Sequence, residues 1–174
     1  MKPEIQTEDL EIALPILKTI NPKIIVEIGT YFGGSVKLWR DTFKPTTLIT
    51  IDIKAWASPI DDVEYVIGSS HDKPDEVKKL LKGKEIDFLF IDGDHRAEAV
   101  TKDFELYLPL VRQGGLIMFH DVIYRNAEND VPTLWKEIKR NYNYVEIAMN
   151  NNTTGVGIIT KDSPYERTEH GNVT

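Results

Sequence analysis

The chain has 174 residues, 41% of them hydrophobic and 28% charged, with a formal net charge of −7 and no cysteine. That length suits one domain, and one of this size buries roughly 70% of the surface its unfolded chain exposes. The acidic balance, without a Lys/Arg-rich run, argues against a nucleic-acid partner; the lack of cysteine removes disulfides, thiolate metal sites and a thiol nucleophile; and no apolar run reaches the ~20 residues of a membrane span.

In chain order, 7–19 carries Leu10, Leu14 and Leu17 at helical spacing, with Pro15 as a point of kinking. Residues 23–28 (KIIVEI) predict a buried strand, 29–34 a glycine turn and 35–43 a helix. Strands follow at 46–53 and 63–67, then a helix over 72–81 that stops near Gly83. Residues 86–91 (IDFLFI) predict a fourth strand and 95–111 a long helix closed by a Gln113-Gly114-Gly115 turn. A fifth strand begins at 116–119. A helix over 133–140 has Pro132 at its start, and two strands, 144–149 and 156–160, flank an NNNTTG turn. Fully apolar strands alternating with helices predict a doubly wound, Rossmann-like α/β fold, with a mostly parallel seven-stranded sheet and a C-terminal antiparallel hairpin. Residues 1–160 are expected to form one domain and 161–174 a polar, loose tail. Acids interrupt the apolar stretch of the N-terminus, so no signal peptide is expected and the expected location is cytoplasmic.

Carboxylates follow the apolar runs: Glu27, Asp52, Asp92, Asp94 and Asp121. In an open α/β sheet the ligand crevice lies outside the carboxyl ends of the strands, so this row disfavours an anionic cofactor and favours a cation. The segment Glu27-Ile28-Gly29-Thr30-Tyr31-Phe32-Gly33-Gly34-Ser35 has the strand–turn–helix order of a nucleotide-binding unit, but its glycine spacing is neither G-x-G-x-x-G nor a P-loop. Glu27 would repel a pyrophosphate and attract an ammonium or sulfonium. Asp52, at the end of strand two, suits a ribose diol.

EIGTYFGGS, with TIDI, IDFLFIDGDH and VRQGGLIMFHD after it, resembles the class I S-adenosylmethionine-dependent methyltransferases, and within them the small O-methyltransferases related to the macrocin and cephalosporin-pathway enzymes. The likeness runs from about Ile24 to Val122. It implies that Glu27, Gly29, Thr30, Gly33, Gly34 and Ser35 surround the methionine end of S-adenosylmethionine. It also implies that Asp52 takes the ribose hydroxyls, that Ser69 and Ser70 lie near adenine, and that Asp92 borders the cofactor.

In metal-dependent relatives the metal positions map onto Asp92, His120 and Asp121, and the general base onto His95, with Asp92 also in the catalytic set. His120 stands where that subgroup more often has an acid, so Mn²⁺ or a mixed site competes with Mg²⁺, which prefers oxygen. Simpler readings stand beside these: Asp94 as a helix cap, His120 as a satisfied buried histidine, His95 as a surface residue. Trp39 and Trp135 read as core. Trp56 either covers adenine or packs its loop. Residues 124–131 form the expected substrate loop, with Arg125 as a partner for an acidic group. The resulting expectation is O-methylation of a hydroxyl on a small-molecule or glycosylated metabolite, with a divalent cation assisting and a homo-oligomer completing the open acceptor site. The alternatives are a non-catalytic cofactor- or metabolite-binding module and a nicotinamide- or nucleotide-dependent enzyme.

Overall fold

Seven strands form one sheet in the computed structural model, which describes residues 7–55, 59–123, 126, 129–148 and 154–162. The elements are α1 (Thr7–Lys18), β1 (Ile24–Ile28), α2 (Gly34–Phe43), β2 (Thr47–Asp52), β3 (Glu64–Ile67), α3 (Pro74–Leu81), β4 (Ile86–Ile91), α4 (Ala97–Tyr107), β5 (Val111–His120), α5 (Val131–Asn141), β6 (Tyr144–Ile147) and β7 (Val156–Thr160). Single 3₁₀ turns, Ser70–Asp72 and Leu108–Leu110, precede α3 and β5. The order across the sheet is β3-β2-β1-β4-β5-β7-β6. The first five strands are parallel, whereas β7 runs antiparallel to both β5 and β6. The doubly wound fold with a terminal antiparallel hairpin is therefore present as expected. No helix among the described residues is long and apolar enough to cross a membrane.

Every residue of β1 is buried, and four of the six in β2. Strands covered on both faces cannot alternate polar with apolar, hence the runs IIVEI and LITI. One core layer joins Val26, Ile28, Ile49 and Leu89 to α3, α4 and α5. The other joins Ile25, Leu48, Phe88 and Phe90 to α1 and α2. Trp39 and Trp135 are core residues, as the sequence predicts.

The order reverses between β1 and β4, which opens a crevice at their carboxyl ends. The opposite ends are pinned by Asp87, whose Oδ2 accepts the amides of Lys23 (2.8 Å) and Ile24 (2.9 Å) while Oδ1 accepts Arg112 Nε (2.6 Å).

Gln113-Gly114-Gly115 does not close a helix. It lies inside β5, in an irregular stretch where the register jumps from Ile86↔Val111 to Phe88↔Leu116. Gly114 adopts φ +71° and donates to the Lys161 carbonyl, and Lys161 donates back to Gly115. Pairing with the chain after β7, which local sequence cannot reveal, turns an apparent loop into strand. The helix predicted over 95–111 is correspondingly shorter, because the 3₁₀ turn containing Pro109 ends it.

Candidate active site

Glu27 is fully buried near the end of β1, on the side facing α2. Ser35 donates its hydroxyl to Oε1 (3.0 Å) and Trp39 its indole N–H to Oε2 (2.6 Å). These donors are four residues apart, so one helix face presents both. Burial pushes the Glu27 carboxyl up to about 8, against these two hydrogen bonds and with Asp92 and Asp52 adding repulsion. The ligand-free chain thus keeps Glu27 protonated at neutral pH, and a cation placed beside it would draw the proton off. The acidic row read from sequence is one charge weaker at rest than its residues suggest.

The glycine turn is held by Asp52. Its Oδ2 accepts the amides of Thr30 and Tyr31 (both 2.9 Å), its Oδ1 accepts Lys54 N (2.9 Å), and the Thr30 and Thr50 hydroxyls are hydrogen-bonded at 2.6 Å. Gly29 sits at φ +96°, where a Cβ would lie 2.0 Å from the Asp92 carbonyl oxygen, so only glycine lets the ends of β1 and β4 meet. Gly33 caps α2 in the left-handed region at φ 69° and Gly34 opens the helix. Ser69 Oγ accepts the His71 amide (3.3 Å), while the Ser70 hydroxyl turns inward and donates to Asp103 Oδ1 (2.5 Å). Trp56 and Arg125 lie outside the described residues.

Beyond β4 and β5, four side chains converge. His95 Nε2 lies 3.5 Å from Asp92 Oδ1 and 3.3 Å from Asp121 Oδ2. His120 Nδ1 lies 3.2 and 3.3 Å from the same two oxygens. His95 is 35% exposed and His120 only 6%, so solvent reaches His95 alone of the two imidazoles. His120 Nε2 is buried and has no hydrogen-bond partner among the described residues. Burial by itself would lower the His120 pKa, but Asp92 and Asp121 carry it up to about 10. The hydrogen bond that His95 donates to Asp92 likewise raises the His95 pKa. Burial opposes ionisation of Asp92, and the two imidazoles reverse that, leaving its pKa below the usual range. Asp121 holds φ 59°, a left-handed backbone that Asp tolerates better than most residues.

Among the described residues, one group could hold a cation: Asp92, His95 and Asp121, whose ligand atoms lie within 4.8 Å of one another. Two carboxylate oxygens with an imidazole nitrogen suit Mn²⁺ or a related first-row ion as well as Mg²⁺. His120 borders this group through both carboxylates. Asp94 is not gathered in, because its carboxylate is taken by the backbone and guanidinium of Arg96.

Two residues important here escaped the sequence reading. Asn129, buried in the loop after β5, donates to the Asp121 carbonyl (3.1 Å) and accepts Val131 N (3.0 Å), while Asp130 N donates to the His95 carbonyl (2.8 Å). Asn129 and Asp130 thereby fix the backbone that carries Asp121 and His95; an Asn-Asp pair before a helix start was the available signal. Asp103 is the other. Its spacing with Val100, Phe104 and Tyr107 puts it on the apolar face of α4, and a lone acid there signals a buried polar contact.

The fold and this arrangement define a Rossmann-like framework whose crevice carries a buried Glu27 beside the glycine turn in one half and an Asp/His cluster in the other. A profile described as "Methyltransferase domain" matches residues 26–122, and the chain belongs to that family. An uncharacterised protein of Acanthamoeba polyphaga mimivirus is 36% identical over 112 residues, covering 55% of this chain and 50% of the relative. A rhamnosyl O-methyltransferase of Mycobacterium tuberculosis is 28% identical over 120 residues, covering 61% of this chain and 48% of the enzyme. The chain thus spans about half the length of the curated relatives it matches. The methyltransferase MycE of the mycinamycin pathway, solved with Mg and S-adenosylhomocysteine, superposes with a TM-score of 0.66 at 18% identity, covering 99% of this chain and 53% of that one.

Proposed function

We propose that the chain is an S-adenosylmethionine-dependent methyltransferase acting on the hydroxyl of a small-molecule or glycosylated metabolite. The observation that carries this reading is Glu27: a fully buried carboxyl held by Ser35 and Trp39 next to a glycine turn, where burial raises its pKa and a neighbouring cation would favour its ionised form. A mononucleotide or pyrophosphate offers no such partner. The rhamnosyl O-methyltransferase relative supports a sugar-bearing acceptor.

S-adenosylmethionine supplies an electrophilic methyl group on its sulfonium. Glu27 would answer the positive methionine end, and Asp52, already fixed by three amides, would present its remaining acceptor capacity to the ribose diol. Displacement would require the acceptor oxygen to give up its proton to a base and to lie in line with the methyl–sulfur bond, which breaks with S-adenosylhomocysteine leaving, and holding the two in place contributes much of the rate. His95 is the more accessible imidazole of the cluster and takes that proton. Because Asp92 raises its proton affinity, His95 is a competent base only above the ordinary imidazole range, so turnover rises toward alkaline pH. Asp92, His95 and Asp121 fit a divalent cation, which would lower the pKa of a coordinated hydroxyl; in that arrangement His95 is a ligand rather than the base.

The test is calorimetric titration with S-adenosylmethionine and with NAD, with and without Mg²⁺ or Mn²⁺, followed by turnover of His95→Ala. Binding of S-adenosylmethionine alone, with slowed transfer and intact cofactor binding in the variant, is expected. Preference for NAD would refute the reading, and an unchanged rate in His95→Ala would remove His95 as base or ligand.

A further inference from the structure

Strand β3 is a four-residue edge strand that, among the described residues, pairs only with β2, so the turn after it has little sheet to rest on. Among the described residues, three side-chain hydrogen bonds tie that turn to α4. The Ser70 hydroxyl donates to Asp103 Oδ1 (2.5 Å), the Tyr107 hydroxyl donates to the Ser70 carbonyl (2.8 Å), and His71 Nε2 lies 3.2 Å from the Ala99 carbonyl. His71 Nε2 is also 3.4 Å from Asp103 Oδ1. Helix α4 belongs to the other half of the sheet, because it follows the Asp92–His95 loop.

The contact therefore crosses the topological switch point. At its near end, Gly68 N donates to the Asp52 carbonyl (2.8 Å), tying the turn to the strand of Asp52. At its far end, a Cβ on Gly93 would lie 3.6 Å from Asp103 Oδ2. Asp103 is 1% exposed, and burial raises its pKa.

We propose that Asp103 is a positioning residue that fixes the nucleoside wall of the crevice, holding the Ser69–Ser70 turn at a set distance from Asp52 by anchoring it to α4. This rests on S-adenosylmethionine being the cofactor. Asp103 touches neither cofactor nor acceptor; it acts through Ser70. Losing it should therefore weaken every ligand that contains adenosine by one common factor, whatever the ligand carries at its methionine end.

The experiment measures dissociation constants of S-adenosylhomocysteine and 5′-methylthioadenosine for the wild-type chain, Asp103→Ala and Asp103→Asn. In Asp103→Ala both ligands should weaken alike, on the order of tenfold, as for a lost hydrogen bond to a charged or strongly polar group. The rate at saturating cofactor should hold, so the loss appears in KM rather than kcat. Asp103→Asn should recover affinity, because its amide oxygen still accepts from Ser70. Unchanged constants in Asp103→Ala, or weakening of S-adenosylhomocysteine alone, would overturn the proposal. If Asp103→Ala does not fold, Asp103→Leu, which fills the same buried space but cannot accept from Ser70, gives the same test: parallel weakening supports the proposal and none overturns it. A wild-type chain that binds neither ligand overturns the cofactor reading itself, and this inference with it.

Discussion

Replacing Glu27 by Gln separates a buried carboxyl from a buried carboxylate. The amide has the shape of the protonated acid. Its oxygen can accept from Trp39 and its NH₂ can donate to Ser35, whose hydroxyl needs only to rotate. The unfolded carboxyl ionises near 4.5 and the folded one at about 8. Between those values the folded chain holds one more proton than the unfolded, so wild-type stability falls as pH rises through the window and is level on either side. At about 1.4 kcal/mol per pH unit, the rise from 4.5 to about 8 amounts to about 5 kcal/mol as an upper bound. Glu27→Gln lacks this proton. It should match the wild type near pH 4.5 and exceed it by up to that amount at pH 9, at the cost of affinity for S-adenosylmethionine. Urea unfolding of both proteins in ligand-free buffer, followed by tryptophan fluorescence at intervals from pH 5 to 9, measures the difference. A stability gap that does not change with pH would show that Glu27 is ionised in the folded chain and would refute a cation-triggered site.

Binding of S-adenosylmethionine at pH 7 should release close to one proton, seen as a binding enthalpy that differs between phosphate and Tris; the difference should vanish in Glu27→Gln. Asp87→Asn should cost about 1–3 kcal/mol at neutral pH, since the carboxylate that receives two amides and Arg112 is lost. Although burial opposes it, Arg112 and the amides hold Asp87 below its ordinary range, so its contribution is present above the unfolded value and lost as pH falls. The deficit should therefore shrink in acid, and a constant deficit would refute the assignment. His120→Asp sets a third carboxylate against Asp92 and Asp121: melting should drop in EDTA and recover more with Mg²⁺ than in the wild type, and an equal response to Mg²⁺ would count against a cation at this cluster.

Most of the sheet could be read from the chain because buried parallel strands are written as unbroken apolar runs. The strand-end rule then located Glu27, Asp52, Asp92 and Asp121 without coordinates. What could not be read depends on partners distant in sequence. Gly114-Gly115 carries a local turn signal, and only the chain beyond β7 overrides it. Trp39 is a core residue by spacing, yet its N–H serves Glu27 twelve positions away. The Ser70 hydroxyl is engaged by a helix that begins far downstream. The protonation of Glu27 was hidden for a related reason: sequence gives the charge a residue can carry, while burial decides the charge it does carry.

The placement of β7 bears on how the chain is made. Among the described residues, β6 has no neighbour in the sheet except β7, and β7 is the only strand that covers the outer edge of β5. During synthesis from the N-terminus, β6 emerges with nothing to pair with, and the hydrogen-bonding edge of β5 stays open until residues 156–160 arrive. An open edge on a hydrophobic strand invites pairing with other chains. The last described strand therefore acts as the lock of the sheet, and a ribosome stalled before it would hold out an unprotected, aggregation-prone edge.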